Sequence, residues 1–277
     1  ISKVPIVVHS EDDKIINENL KNFKEKYGEQ NLRPEMHANI RSSIACSKST
    51  EKIISLAKKT NGRLHVFHLT TKEEAKLFDN QNDLKNKKIT SEVCVHHLSF
   101  HDVDYKTKGN FIKWNPSIKT IEDQNALWDA LISDKIDVIA TDHAPHTFDE
   151  KNQSYVDSPS GGPLVQHSLY IMYEHFLEKR ISLEKIVEKM CHNPAILFNI
   201  KKRGFIREGF FADLVILKRN QGWVINKNNI LYKCGWSPFE GKKINSMITH
   251  TFVSGNLAYE NGVFNQNIMG KKIEFNS

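Results

Sequence analysis

The stretch VIATDHAPH, residues 138–146, passes from Val138, Ile139, Ala140 and Thr141 directly into Asp142, His143 and His146. A short apolar run of this kind reads as a strand buried in a parallel sheet, whose interior has no use for a carboxylate and imidazoles. The polar half therefore belongs at the strand's end, where the chain leaves the core. Two other stretches finish in the same way, PIVVHSED at His9 and LHVFHLTT at His68. In a parallel α/β fold the carboxyl ends of all strands lie on one face, so residues far apart in sequence can converge there.

Working outward, the first two-thirds of the chain alternates strand-like and helical patterns. Strands are expected over 4–8, 64–67, 89–94 and 136–140. Between them, residues 42–58 place Ile53, Leu56 and Ala57 on one helical face, 72–78 form a short polar helix, and 120–132 bring together Leu127, Ala130 and Leu131. Thr120 with Asp123 three residues on has the form of a capping box. This alternation predicts right-handed βαβ units and a parallel sheet, either doubly wound or barrel-like. Beyond SPSGGP (158–163) the pattern changes to helices over 164–177 and 183–190, the latter with Leu183, Ile186, Val187 and Met190 on one face. Strand-like runs follow, with SGN and ENG as hairpin turns. The expected organisation is an α/β part over 1–205 and a small β domain over 206–277.

Composition narrows the function classes. A chain of 277 residues, 39% hydrophobic and 26% charged, can bury one large core or two smaller ones. No apolar run approaches the ~20 residues that cross a bilayer, and no signal-like segment opens the chain. A cytoplasmic protein without a membrane partner is expected. Cys46, Cys94, Cys191 and Cys234 form no C-x-x-C pair, which argues against a zinc knuckle or a disulfide framework. The net charge of +6 comes from lysines mixed with acids, so no nucleic-acid partner is expected. G-x-G-x-x-G, P-loop and G-x-S-x-G motifs are absent, which removes support from nucleotide-cofactor and serine-hydrolase readings. The chain opens on Ile1, and an N-terminal part of the protein is expected to precede it.

The candidate site gathers at the three polar strand ends. A lone histidine at a strand end commonly caps or faces solvent, but His9, His68 and Asp142 in matching positions form a donor set suited to a divalent ion such as Zn²⁺. His65 and His96 are set aside because side chains alternate across a strand, and the remaining histidines, His97 and His37 among them, are read as structural. Asn115 in WNPSIK can donate and accept at once toward a ligand, with Lys119 nearby as a cation, although Asn-Pro also simply begins turns. His146 projects from a loop past Pro145. Gly161 and Gly162 would let backbone approach a ligand, and a flexible loop would need glycines too.

In order along the chain, VVHSED, VFHLTT, EVCVHHLSF, WNPSIK, IATDHAPH, SGGPLVQHSL, NPAILF, FADLVIL and SPFEGKKINSMITHTFVSGNLAYENGVF together resemble the dihydroorotases of the amidohydrolase superfamily. The resemblance implies a (β/α)₈ TIM-like barrel with a small flanking β domain, of which this chain would be strands five to eight and part of the β domain. It implies a small-molecule substrate, dihydroorotate or N-carbamoyl-L-aspartate, and two zinc ions per complete site, and it leaves room for a homo-oligomer. His9 and His68 would bind one metal. Asp142 would bind the other and carry protons. Asn115 and His146 would hold the substrate, with backbone around Gly161 and Gly162 closing the pocket. Hydantoinases and allantoinases are the alternative cyclic amidases, and Asn115 favours dihydroorotase over them; a non-catalytic scaffold is a third reading, against which the retained His9, His68 and Asp142 argue. The family's first-strand His-x-His, its substrate-binding arginine and its bridging carboxylate or lysine have no counterpart here. A full barrel needs roughly 250 residues, so the 277 residues alone are expected to be inactive.

Overall fold

The computed structural model describes residues 4–81 and 83–276. They divide into two compact units, Ile1–Ser168 with Asn226–Glu240, and Leu169–Ile225 with Gly241–Ser277.

The first unit is built on a parallel sheet of four strands in the order β1 (Ile6–Val8), β2 (Leu64–Val66), β3 (Ile89–Cys94) and β4 (Val138–Ala140). Ile6 pairs with Leu64 and Leu64 with Ile89, while Glu92 pairs with Val138 and Cys94 with Ala140. All four expected strands are present in sequence order, each shorter than or equal to the expected run. β4 begins two residues late: the Ile136 N–H turns back to Ala130 O at 3.1 Å, and Asp137, though its N–H reaches Ser91 O of β3 at 3.0 Å, uses its side chain to accept from the Ser91 N–H at 2.9 Å and from Lys87 Nζ at 2.8 Å. Sequential neighbours pairing in parallel with helices between them is the α/β arrangement that the alternation predicted.

The crossover helices follow physical rules that the sequence states only in part. Thr120 caps the helix Ile121–Ile132 through the expected box with Asp123, and Leu127, Ala130 and Leu131 are buried together. The helix Ser43–Thr60 rotates away from expectation. Its buried stripe is Cys46, Thr50, Ile54 and Ala57, and Leu56 is 53% exposed. The cause is polar: Thr50 Oγ1 donates to the buried Glu74 carboxylate at 2.8 Å and lies at hydrogen-bond distance, 3.0 Å, from Ser10 Oγ, which fixes the helix face. The helix Asp13–Tyr27 was not expected from the sequence. Asp12 caps it through the backbone N–H groups of Lys14 and Ile15, and Ile16 packs with Leu32, Ile40, Ala45 and Tyr155 in a small apolar cluster.

The second unit contains an antiparallel sheet ordered β5 (Leu214–Val224), β6 (Lys243–Val253), β7 (Asn256–Glu260) and β8 (Val263–Phe264). Two-residue loops join the last three strands. Ser254–Gly255 and Asn261–Gly262 all have positive φ, the form that matches strand twist in tight hairpins. The helix Leu183–Val187 buries Ile186, whereas Leu183 and Val187 are exposed, and it passes into a π-helical turn over Glu188–His192 instead of continuing to Met190. Glu174 accepts from the backbone and side-chain amides of Asn245, both at 2.7 Å, joining the helix Ser168–Leu177 to β6. No helix among the described residues is long and apolar enough to cross a membrane.

Several histidines of the first unit are buried in the neutral form. Burial holds His37 down to about 3 and His68 and His167 to about 4, against an ordinary 6.5. The unfolded chain therefore binds protons that the native state refuses, so stability is full above about 6.5 and is lost as pH falls toward about 4. Thermal melts recorded across that window should show a falling Tm, and replacing His37 by Gln should flatten the decline.

Candidate active site

The carboxyl ends of β1, β2 and β4 deliver His9, His68 and Asp142. His9 Nδ1 and His68 Nε2 stand 3.1 Å apart, with their ring planes at 73°. Two nitrogens bound to one tetrahedral zinc at ~2.0–2.1 Å would stand roughly 3.3 Å apart, so the pair fits a shared ion. His68 is kept neutral chiefly by burial. The second nitrogen of His9 has its own partner, Glu11 Oε2 at 3.0 Å. A carboxylate there accepts from His9 Nε2–H and leaves the lone pair on Nδ1, the atom that faces His68.

Glu11 was missed in the sequence, where HSED offered only an acid two residues past a histidine. Its side chain is 1% exposed, and Arg41 grips both oxygens, with Nη2 at 2.6 Å from Oε2 and Nε at 3.2 Å from Oε1. Burial alone would raise the Glu11 carboxyl. Hydrogen bonds from His9 and Arg41, with the charges of Arg41 and Lys119, outweigh it and bring the group to about 2. Lys119, expected as a ligand cation, is buried and donates to Ser117 Oγ at 2.7 Å and Ser117 O at 3.1 Å.

Asp142 lies in a different field. Its carboxyl is raised above the usual carboxylate range by burial and then by Glu92, while His9 pulls it down. Glu92 in turn accepts from buried His65 Nε2 at 3.0 Å, and His65 Nδ1 meets Thr90 Oγ1 at 2.9 Å. His65 is thus a bridge between β2 and β3, in keeping with its being set aside as a ligand. Both His68 and Asp142 adopt left-handed backbone, with φ of 36° and 47°. Non-glycine residues are sparse in that region and concentrate where surrounding structure holds them for a purpose.

The remaining expected residues meet at one loop. Asn115 Oδ1 accepts from Ser160 Oγ at 3.0 Å, and His146 Nε2 donates to Ser160 O at 3.1 Å. Ser160 was not singled out in the sequence, where a lone serine carries no signal. Gly161 has φ of 122°, and a Cβ there would stand 2.6 Å from Ala144 O; at Gly162 it would stand 2.6 Å from the Trp114 ring. Gly161 is required by the close packing of this loop on the TDHAPH segment and Gly162 by its packing on Trp114, and the Gly161 N–H is donated to Lys113 O at 2.8 Å. His143 faces the same loop: its Nδ1 accepts from the Leu164 backbone at 2.9 Å. His146 and His143 also border an open cleft of about 530 Å³ with Tyr232 and Lys233.

Cys94, His96 and His97, at the end of β3, form a second donor cluster in which one ligand atom of each lies within 4.8 Å of the others. The alternation argument set His96 aside, but β3 ends at Cys94 and a short helix, Val95–Ser99, starts at once, so strand alternation no longer governs positions 96 and 97.

Residues 2–258 match the family model described as the amidohydrolase family. The chain is 31% identical over 264 residues to a dihydroorotase of Endomicrobium trichonymphae and 33% identical over 256 residues to one of Ligilactobacillus salivarius (strain UCC118). These matches cover 93% and 92% of this chain but 60% and 58% of the relatives, so the chain spans well under two-thirds of their length. Among solved structures, L-hydantoinase (dihydropyrimidinase) of Arthrobacter aurescens superposes with a TM-score of 0.84 at 26% identity, covering 94% of this chain and 58% of that one.

Two substitutions probe this geometry. Arg41→Met removes one partner of a buried ion pair and should cost about 3–5 kcal/mol in chemical denaturation, with a larger loss than Glu11 and Arg41 replaced together by Gln and Met. Gly161→Ala forces a Cβ against Ala144 O at a left-handed position; a drop of about 1–3 kcal/mol is expected from the backbone term alone, again read by denaturation.

Proposed function

Because the chain belongs to the amidohydrolase family, we propose that it is the strand-five-to-eight portion of a (β/α)₈ barrel in a zinc-dependent dihydroorotase, with residues 1–205 in the barrel and 206–277 in the small β domain. The reading covers the whole protein's reaction, the reversible hydrolysis of (S)-dihydroorotate to N-carbamoyl-L-aspartate in pyrimidine biosynthesis. The observation that carries it is the pairing of His9 Nδ1 with His68 Nε2 at 3.1 Å, together with a carboxyl just past the end of β4, Asp142, whose proton is held more tightly than usual. The dihydroorotase relatives and their coverage support the substrate class and the partial barrel.

In this reading His9 and His68 would hold one zinc ion and Asp142 would bind the second. A divalent ion held there supplies Lewis acidity toward the substrate carbonyl. Glu11 fixes the His9 ring so that Nδ1 presents its lone pair, and Arg41 keeps Glu11 ionised while it does so. Asp142 takes the proton of the attacking water and delivers it to the leaving ring nitrogen, a task for which a raised carboxyl is suited. Asn115 and His146, tied together through Ser160, hold the cyclic amide and its carboxylate, and the loop at Gly161 and Gly162 closes over them.

In the full-length protein, Asp142→Asn preserves size and tolerance of left-handed backbone and should lower turnover of dihydroorotate by at least about 10²–10⁴-fold with an unchanged melting curve. Turnover near that of the parent would refute the role of Asp142. Hydantoin and allantoin assayed beside dihydroorotate test the substrate: faster hydrolysis of either would move the reading to that cyclic amidase.

A further inference from the structure

The end of β3 carries three soft donors that the site above does not use. Cys94, His96 and His97 are each at most 3% exposed, and one ligand atom from each lies within 4.8 Å of the other two. The two imidazoles sit 4.0 Å apart by ring centroid, and His96 stacks on Trp114 at 4.3 Å with 19° between planes. His97 Nε2 donates to Pro116 O at 3.2 Å, which places the lone pair on Nδ1. That Nδ1 and both ring nitrogens of His96 are buried with no hydrogen-bond partner among the described residues.

Each buried, unpaired polar group costs about 1–3 kcal/mol, and here one ring nitrogen of each histidine lies with the thiol sulfur within 4.8 Å. A single partner that satisfies two imidazole lone pairs and sulfur together is a borderline-soft cation. We propose that Cys94, His96 and His97 form a second metal site, for a zinc-class divalent ion, separate in its ligands from His9, His68 and Asp142. The chemistry of the set agrees at each point. The backbone carbonyl of Pro116 fixes the tautomer of His97 as outer partners of metal-bound histidines do. Trp114 fixes the plane of His96. On binding, the Cys94 thiol loses its proton to solvent and the thiolate coordinates the ion. Glu92 and Asp142 lie close enough to Cys94 to oppose a bare thiolate, and the same negative field favours a dication beside it. In a tetrahedral site the N···N and S···N separations are roughly 3.3–3.5 Å, so binding draws the ligand atoms, now within 4.8 Å of one another, closer by at most about 1.5 Å, chiefly by movement of Cys94 and His97.

The proposal stands apart from the assignment of dihydroorotase activity, and cobalt separates the two. The full chain, stripped of metal and titrated with Co²⁺, should develop a near-ultraviolet thiolate-to-cobalt charge-transfer band. Cys94→Ser should abolish the band and lower bound zinc by about one equivalent, while serine replacements of Cys46, Cys191 and Cys234 keep it. The His9→Asn/His68→Asn double variant should also keep it, because that variant empties only the other ligand pair. Should Cys94→Ser fail to fold by circular dichroism, His97→Gln serves instead, with loss of one equivalent of zinc and a shifted or absent band. A parent protein without the band, or a band that survives in folded Cys94→Ser, overturns the proposal.

Discussion

Parallel pairing of four short strands is the constraint on which everything else in the first unit rests. Because β1 through β4 run in one direction in sequence order, the residue that follows each strand is delivered to a common edge whatever the length of the crossover behind it. His9 and His68 come within 3.1 Å across a crossover that contains two long helices. A one-residue slip in either ladder would turn these side chains to the opposite face. The apolar pairing of Ile6 with Leu64 and of Val8 with Val66 therefore sets the geometry of the polar edge.

The electrostatics of that edge are arranged in opposed pairs. Glu11 is buried yet held far below the usual carboxylate range, because Arg41 and His9 occupy its oxygens, whereas Asp142 is raised because burial and Glu92 both act against its charge. Two carboxyls of the same sequence thus differ in readiness to take a proton, and the difference comes from neighbours on other elements. Histidines follow the same logic. His37, which donates to Trp114 O at 2.7 Å and meets the Tyr155 hydroxyl at 2.8 Å, and His65, spanning Thr90 and Glu92, are fully engaged in holding elements together.

How much of this was legible in the sequence follows from the range of each interaction. Period-two and period-3.6 patterns, turn residues and the Thr120–Asp123 cap are local, and they gave the four parallel strands, the Ile121–Ile132 helix and both hairpin turns. The strand-end motifs put His9 and His68 together, since parallel topology alone suffices for that. What failed was decided by partners distant in the chain. The buried face of Ser43–Thr60 depends on Glu74 and Ser10, Lys119 is drawn inward by Ser117, and Glu11 gains its meaning from Arg41, thirty positions away. His96 escaped for a local reason: strand alternation was extended two residues past the point where the backbone turns into a helix.

The left-handed backbone at His68 and Asp142 leaves a mark on how these positions can drift. Only glycine, and to a lesser degree asparagine, aspartate and histidine, rests easily at such φ values. A descendant would thus be free to change these two side chains but not the turn, and glycine or asparagine would be the residues expected to replace them. Backbone shape would then outlast the side chains as a fossil at both strand ends.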